Sequence, residues 1–151
     1  MKKMITLLMA IGMLAMASGA MAADTTTVAV SATVTGTCKF TAGGTLSFTL
    51  DPSAGGNVNG TVTQPTFWCT KGATYTISDN DGLNKSGTTH RMKHATLTEY
   101  VPYSFTYTTT GTGTGKSAAI TMNIASTVLE ADYIDASAGN YADTVTMSIT
   151  P

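Results

Sequence analysis

From residue 28 onward the chain is written largely in a period of two. Val28, Val30, Ala32 and Val34 alternate with Ala29, Ser31, Thr33 and Thr35, so an extended backbone carries an apolar row on one side and a mostly hydroxylated row on the other. That pattern predicts a strand. Leu46, Phe48 and Leu50 repeat it until Asp51-Pro52 and a turn-rich stretch from Ser53 to Gly60 end it. Thr61 to Cys69 and Ala73 to Ser78 read as two further strands, arms of a hairpin joined by Thr70-Lys71-Gly72. Asp79-Asn80-Asp81-Gly82 then supplies residues that tolerate left-handed φ. Val101, Tyr103, Phe105 and Tyr107 predict another strand, whereas Thr108 to Gly115 has no side chain able to anchor a core and predicts a loop or hairpin tip. Ile120, Met122 and Ile124 make the next arm, Val128 to Ile134 a further short one, and Val145, Met147 and Ile149 the last. No window sustains a helical period. About six to nine short strands at intervals of about 8–12 residues predict an all-β fold, an antiparallel sandwich of the immunoglobulin-like type.

The first 22 residues follow a different rule. Lys2 and Lys3 precede an apolar run from Met4 to Ala17, and Ala20-Met21-Ala22 offers the small-x-small site of a secretory leader. The run is shorter than the ~20 residues that cross a bilayer, which predicts export with cleavage after Ala22 and no stable membrane insertion. Cleavage removes two lysines and leaves six basic against nine acidic residues. With 11% charged residues and a pI near 6.0, the chain has no basic field to hold phosphates, which argues against nucleic acid as a partner. Its polarity comes from 31 threonines, a composition suited to strands and turns.

Export gives the two cysteines their meaning. Cys38 and Cys69 form no CxxC or zinc-like pattern, and a single pair in an oxidising compartment predicts one structural disulfide. The two ends of the chain suggest a further relationship. Only Pro151 follows the last strand, while residues 24–34 precede the first cysteine as a well-patterned apolar segment. An unpaired edge beside an open groove is an aggregation hazard unless another chain's strand fills it. Periodicity alone leaves two readings open: a strand donated to another copy, or this domain's own first strand.

Motifs of chemistry are weak. Thr110 to Ser117 approaches a phosphate-binding loop, but Thr110 stands where the first glycine must turn, and no βαβ unit surrounds it. Asp79 to Gly82 resembles the start of a calcium loop, yet the twelfth position is His90 rather than Glu, so an Asx turn is expected. His90 and His94, with Arg91 and Lys93, are expected on an exposed polar loop without a metal. No G-x-S-x-G elbow accompanies the two histidines, and Glu99, Glu130, Asp132 and Asp135 are dispersed acids. The expectation is a protein that is not an enzyme and needs no cofactor. Trp68, beside Cys69, is expected as a core or interface anchor.

TVAVSATVTGTCKF, the LSF after it, CTKGATYTISDNDG, Arg91-Met92, YVPYSFTY and the terminal AGNYADTVTMSI together resemble the spore coat protein U domain family. That family includes pilins of the archaic, Csu-type chaperone–usher pathway. The resemblance implies an incomplete immunoglobulin-like sandwich completed by donor-strand exchange, and three segments: a leader at 1–22, a donor-strand segment at 23–36 and a pilin domain at 37–151. Cys38 and Cys69 match the family's disulfide. Val28, Val30, Ala32 and Val34 match its donor strand, and Val145, Met147 and Ile149 would border the acceptor groove. Tyr141 and Asp143 match its Gly-x-Tyr-x-Asp lead into the final strand, a tyrosine that hydrogen-bonds back and an aspartate that caps a turn. Ala32 is smaller than the branched residue often found there, and Pro151 replaces the usual ending.

The implied function is a structural subunit of a surface pilus supporting adhesion or biofilm formation. It would be secreted through the periplasm to the surface of a Gram-negative bacterium, with a periplasmic chaperone, an outer-membrane usher and other copies of itself as partners. Its rivals are a self-complemented secreted coat protein, a single-domain carbohydrate-binding adhesin using exposed Tyr and Trp, and a secreted hydrolase.

Overall fold

A computed structural model describes residues 22–151, so the leader expected at 1–22 lies, except for Ala22, outside the described residues. Residues 34–151 form one unit, of which the described residues 22–33 are not part. All regular structure among the described residues belongs to that unit, and apart from one short 3-10 turn it is β.

Thirteen short strands build the domain. β1 (Cys38–Ala42) pairs antiparallel with β5 (Thr66–Cys69), which pairs on its other side with β10 (Ile120–Thr121). β6 (Thr74–Asp79) lies between β13 (Met147–Thr150) and β9 (Thr110–Thr112). β7 (His90–His94) lies between β8 (Tyr100–Tyr103) and β12 (Tyr141–Ala142). Two small ladders join β2 (Thr45–Ser47) to β4 (Thr61–Thr63) and β3 (Val58–Asn59) to β11 (Thr127–Val128). The chain is an antiparallel immunoglobulin-like β-sandwich.

Alternation explains its interior. Phe67 and Cys69 of β5 point inward, as do Tyr75 and Ile77 of β6, and they meet Met122 and Ile124 in one core cluster. Val101 and Tyr103 of β8 meet Val128 and Tyr133 in a second, and Phe105 packs against both. Cys38 and Cys69 face each other across the β1–β5 ladder and are joined by a disulfide.

Several local expectations are corrected. Residues 61–69 and 73–78 are not hairpin arms: β5 and β6 belong to different ladders, and Thr70-Lys71-Gly72 carries the chain from one to the other. A break at Gln64-Pro65 divides the first of them, because proline has no N–H for a ladder. The Thr108–Gly115 stretch is not a tip, since β9 pairs with β6 and Gly113 is buried. Glycine is what permits this: a Cβ on Gly111 would collide with the Tyr75 ring, and one on Gly113 would fall 2.8 Å from the Cys69 Cβ. Beyond Val128 the expected strand is a 3-10 turn at Glu130–Asp132.

His90 and His94 are not on an exposed loop but sit, buried, at the two ends of β7. Trp68 faces away from Cys69 on β5 and is only half-buried, with the Lys116 ammonium 5.9 Å from its ring centroid. Residues 28–34 form no strand in the single chain, because a strand requires a ladder partner and none among the described residues pairs with them.

Candidate functional site: a groove between two unpaired edges

β2 and β13 are both edge strands. β2 is hydrogen-bonded only to β4, and β13 only to β6, so each has a free backbone side among the described residues. Between the β2 region and residues 141–147 runs an apolar groove. One part, about 490 Å³, is walled by Leu46 and Phe48 on one side and by Val145 and Met147 on the other, over Val62, Tyr103, Phe105 and Ile124. The other part, about 500 Å³, continues past Leu50, Met92, Val101 and Tyr133.

The wall is held at its turn by two hydrogen-bond centres. Asp143 accepts from the backbone amides of Leu83 (2.9 Å) and Asn84 (3.2 Å) through Oδ1, and from the Tyr103 hydroxyl (2.7 Å) through Oδ2. Burial and this bond to Asp143 push the Tyr103 hydroxyl far above the ordinary tyrosine range. Two residues earlier the Tyr141 hydroxyl donates to Glu99 Oε2 and the Ser137 carbonyl, both at 3.0 Å. Hydrogen bonds from the Ser137 hydroxyl and amide, then from Tyr141, hold the Glu99 carboxyl below its usual range. The tyrosine therefore bonds back and the aspartate fixes a turn, at the positions where the resemblance places these roles.

Val145 and Met147 line the groove, whereas Ile149 packs further along against the core cluster of Cys69 and Ile77. Val28, Val30, Ala32 and Val34 are all exposed, with Val30 at 90%. Sequence reading overlooked the opposite wall. Leu46 and Phe48 are legible as a strand, but their alternation does not say that β2 has a partner on one side only. The floor residue Met92 enters the sequence reading only in the Arg91-Met92 pair of the family resemblance, which does not place it in a groove.

The groove brings apolar side chains of both walls beside the free main-chain sides of β2 and β13.

Among solved structures, the chain is similar to one in the crystal structure of the CsuC-CsuE chaperone-tip adhesion subunit pre-assembly complex from archaic chaperone-usher Csu pili of Acinetobacter baumannii. Identity is 21% and the TM-score 0.49, over 78% of this chain and 40% of that one. Comparison with curated proteins gives no match. Residues 24–148 match the Spore Coat Protein U domain, and on that extent the chain belongs to the spore coat protein U domain family.

Proposed function

We propose that this chain is a structural subunit of a surface fibre, in which residues 24–34 of one copy enter the groove of the next and add a strand beside β13. The observation that carries the proposal is the pairing of an open apolar groove with an exposed segment of matching alternation in the same sequence. Val28, Val30, Ala32 and Val34 present one apolar row, and the groove presents Leu46, Phe48, Val145 and Met147 to receive it. Burying three branched side chains at ~1.5–3 kcal/mol each, with main-chain bonds to a free edge, makes such a joint slow to open.

Family membership supports assembly by the chaperone–usher route, with a periplasmic chaperone filling the groove before the next subunit does and an outer-membrane usher exporting the fibre. Adhesion or biofilm formation at the surface of a Gram-negative bacterium is the role this assembly serves, and the subunit's work is mechanical rather than enzymatic.

The test is non-reducing gel electrophoresis of the exported protein, unheated and boiled, for the wild type and for a chain lacking residues 24–34. A heat-sensitive ladder that disappears with the deletion is expected. A single monomer band from unheated wild type would overturn polymerisation and favour a domain that completes itself.

A further inference from the structure

Away from the groove, β6 ends and β7 begins around three side chains of one chemical kind. Asp79 closes β6, Asp81 follows in the turn with φ of 58°, and His90 opens β7. Ligand atoms from all three lie within 4.8 Å of one another.

His90 is the second observation. It is 8% exposed, its ring lies 5.4 Å from that of Tyr103 and 5.2 Å from that of Phe105, and its buried Nε2 makes no hydrogen bond. That nitrogen is 3.4 Å from Asp79 Oδ1. Neither neutral tautomer satisfies this nitrogen: Nε2–H finds no aligned acceptor, since Asp79 Oδ1 already accepts from the Asp81 amide at 2.6 Å, and a bare Nε2 lone pair turned toward the carboxylate is repulsive. A cation lying between the two atoms gives both a partner. Two ligands held tetrahedrally at ~2.1 Å from one metal stand about 3.4 Å apart, which is the separation seen here.

Imidazole nitrogen with carboxylate oxygen favours a first-row divalent cation such as zinc over calcium or magnesium. We propose that His90 Nε2, Asp79 and Asp81 bind a divalent transition-metal cation, which ties the β6–β7 turn to the end of β6. Asp81 is the adjustable member: its Oδ2 pairs with the Lys85 ammonium at 2.9 Å, and its side chain is 35% exposed. Lys85 is thus a competitor, a positive charge that binding of the metal must displace. His94, the other histidine, is excluded because its Nδ1 already accepts from the amides of Thr96 and Leu97.

Isothermal titration of the tag-free, metal-stripped chain with zinc chloride tests the site. One equivalent is expected to bind, with affinity falling at least about tenfold in both His90→Gln and Asp81→Asn, rising in Lys85→Met, and unchanged in Asp135→Asn. Asp81 and Lys85 lie on an exposed turn, so their variants fold and remain informative where His90→Gln does not. Cobalt in place of zinc should give visible absorption that Asp81→Asn abolishes. No saturable binding by wild type, or binding indifferent to Asp81→Asn and Lys85→Met, would overturn the proposal.

Discussion

The Tyr103 hydroxyl donates to Asp143 Oδ2 at 2.7 Å, joining the floor of the groove to the segment that becomes its wall. Tyr103 is buried in β8 and Asp143 stands four residues before β13, so the bond fixes how far the wall stands from the floor. Tyr103→Phe removes the donor while keeping the ring. A loss of about 1.5–3 kcal/mol is expected for a hydrogen bond to a carboxylate, read as a lower urea midpoint at unchanged slope. An unchanged midpoint would show that Asp143 is held by the Leu83 and Asn84 amides alone.

Gly60 faces the opposite wall. A Cβ there would collide with Leu46 and stand 3.0 Å from the Phe48 ring. Gly60→Ala is therefore expected to lower stability by about 1–3 kcal/mol, the usual cost of overpacking, and to displace β2. Thermal melting checks the first effect and the amount of heat-sensitive polymer the second.

Charge on the donor row should act on assembly alone. Val28 and Val30 are exposed in the single chain, so Val28→Asp and Val30→Lys are expected to leave its melting temperature unchanged while abolishing the polymer ladder. Normal ladders from both variants would disprove the donor role.

Acid and alkali should each destabilise the domain through identifiable groups. Burial raises the Asp79 carboxyl, but bonds from the Tyr107 hydroxyl and the Asp81 amide, with the nearby His90, outweigh it and leave it lowered; Glu99 is lowered as well. Carboxylates with depressed folded values give stability that is complete above their unfolded values near about 4 and is lost as pH falls through the folded ones. Tyr107 has the opposite sign. Burial and the bond to Asp79 push it up to about 12, so its contribution is complete below the unfolded value near about 10 and is lost as pH rises toward 12. Urea titrations at pH 7, 3 and 11 test both limbs, with Asp79→Asn and Glu99→Gln expected to flatten the acid limb and Tyr107→Phe the alkaline one.

The disulfide closes a loop of 31 residues. Replacing Cys38 and Cys69 by serine is expected to cost about 2–5 kcal/mol, measured by urea unfolding against the oxidised wild type.

Period-two alternation made most strands legible, the apolar rows of β2 and β13 included. What it did not carry was pairing. A strand's sequence records which face is buried, not which neighbour it bonds, so the crossing at Thr70-Lys71-Gly72 passed for a hairpin turn. Composition misled at Thr108–Gly115, where small residues mark close approach to Tyr75 and Cys69 rather than freedom. It misled again at His90 and His94, whose charged neighbours Arg91 and Lys93 suggested a solvated loop. Both histidines are buried at strand positions where only the partner strands reveal it, His90 opposite Tyr103 of β8 and His94 opposite Tyr141 of β12.

The position of the first cysteine has a mechanical consequence. A tension applied to residues 24–34 enters the domain through Thr35, Gly36 and Thr37 and meets a covalent crosslink at Cys38, the first residue of β1. Force therefore passes directly to Cys69 in β5, whose neighbours Phe67 and Tyr75 are locked in the core, instead of peeling β1 from its ladder one bond at a time. While the bond is intact, the stretch of chain between the two cysteines is shielded from that tension and Cys69 cannot move without disturbing the core around it; reduction removes both protections.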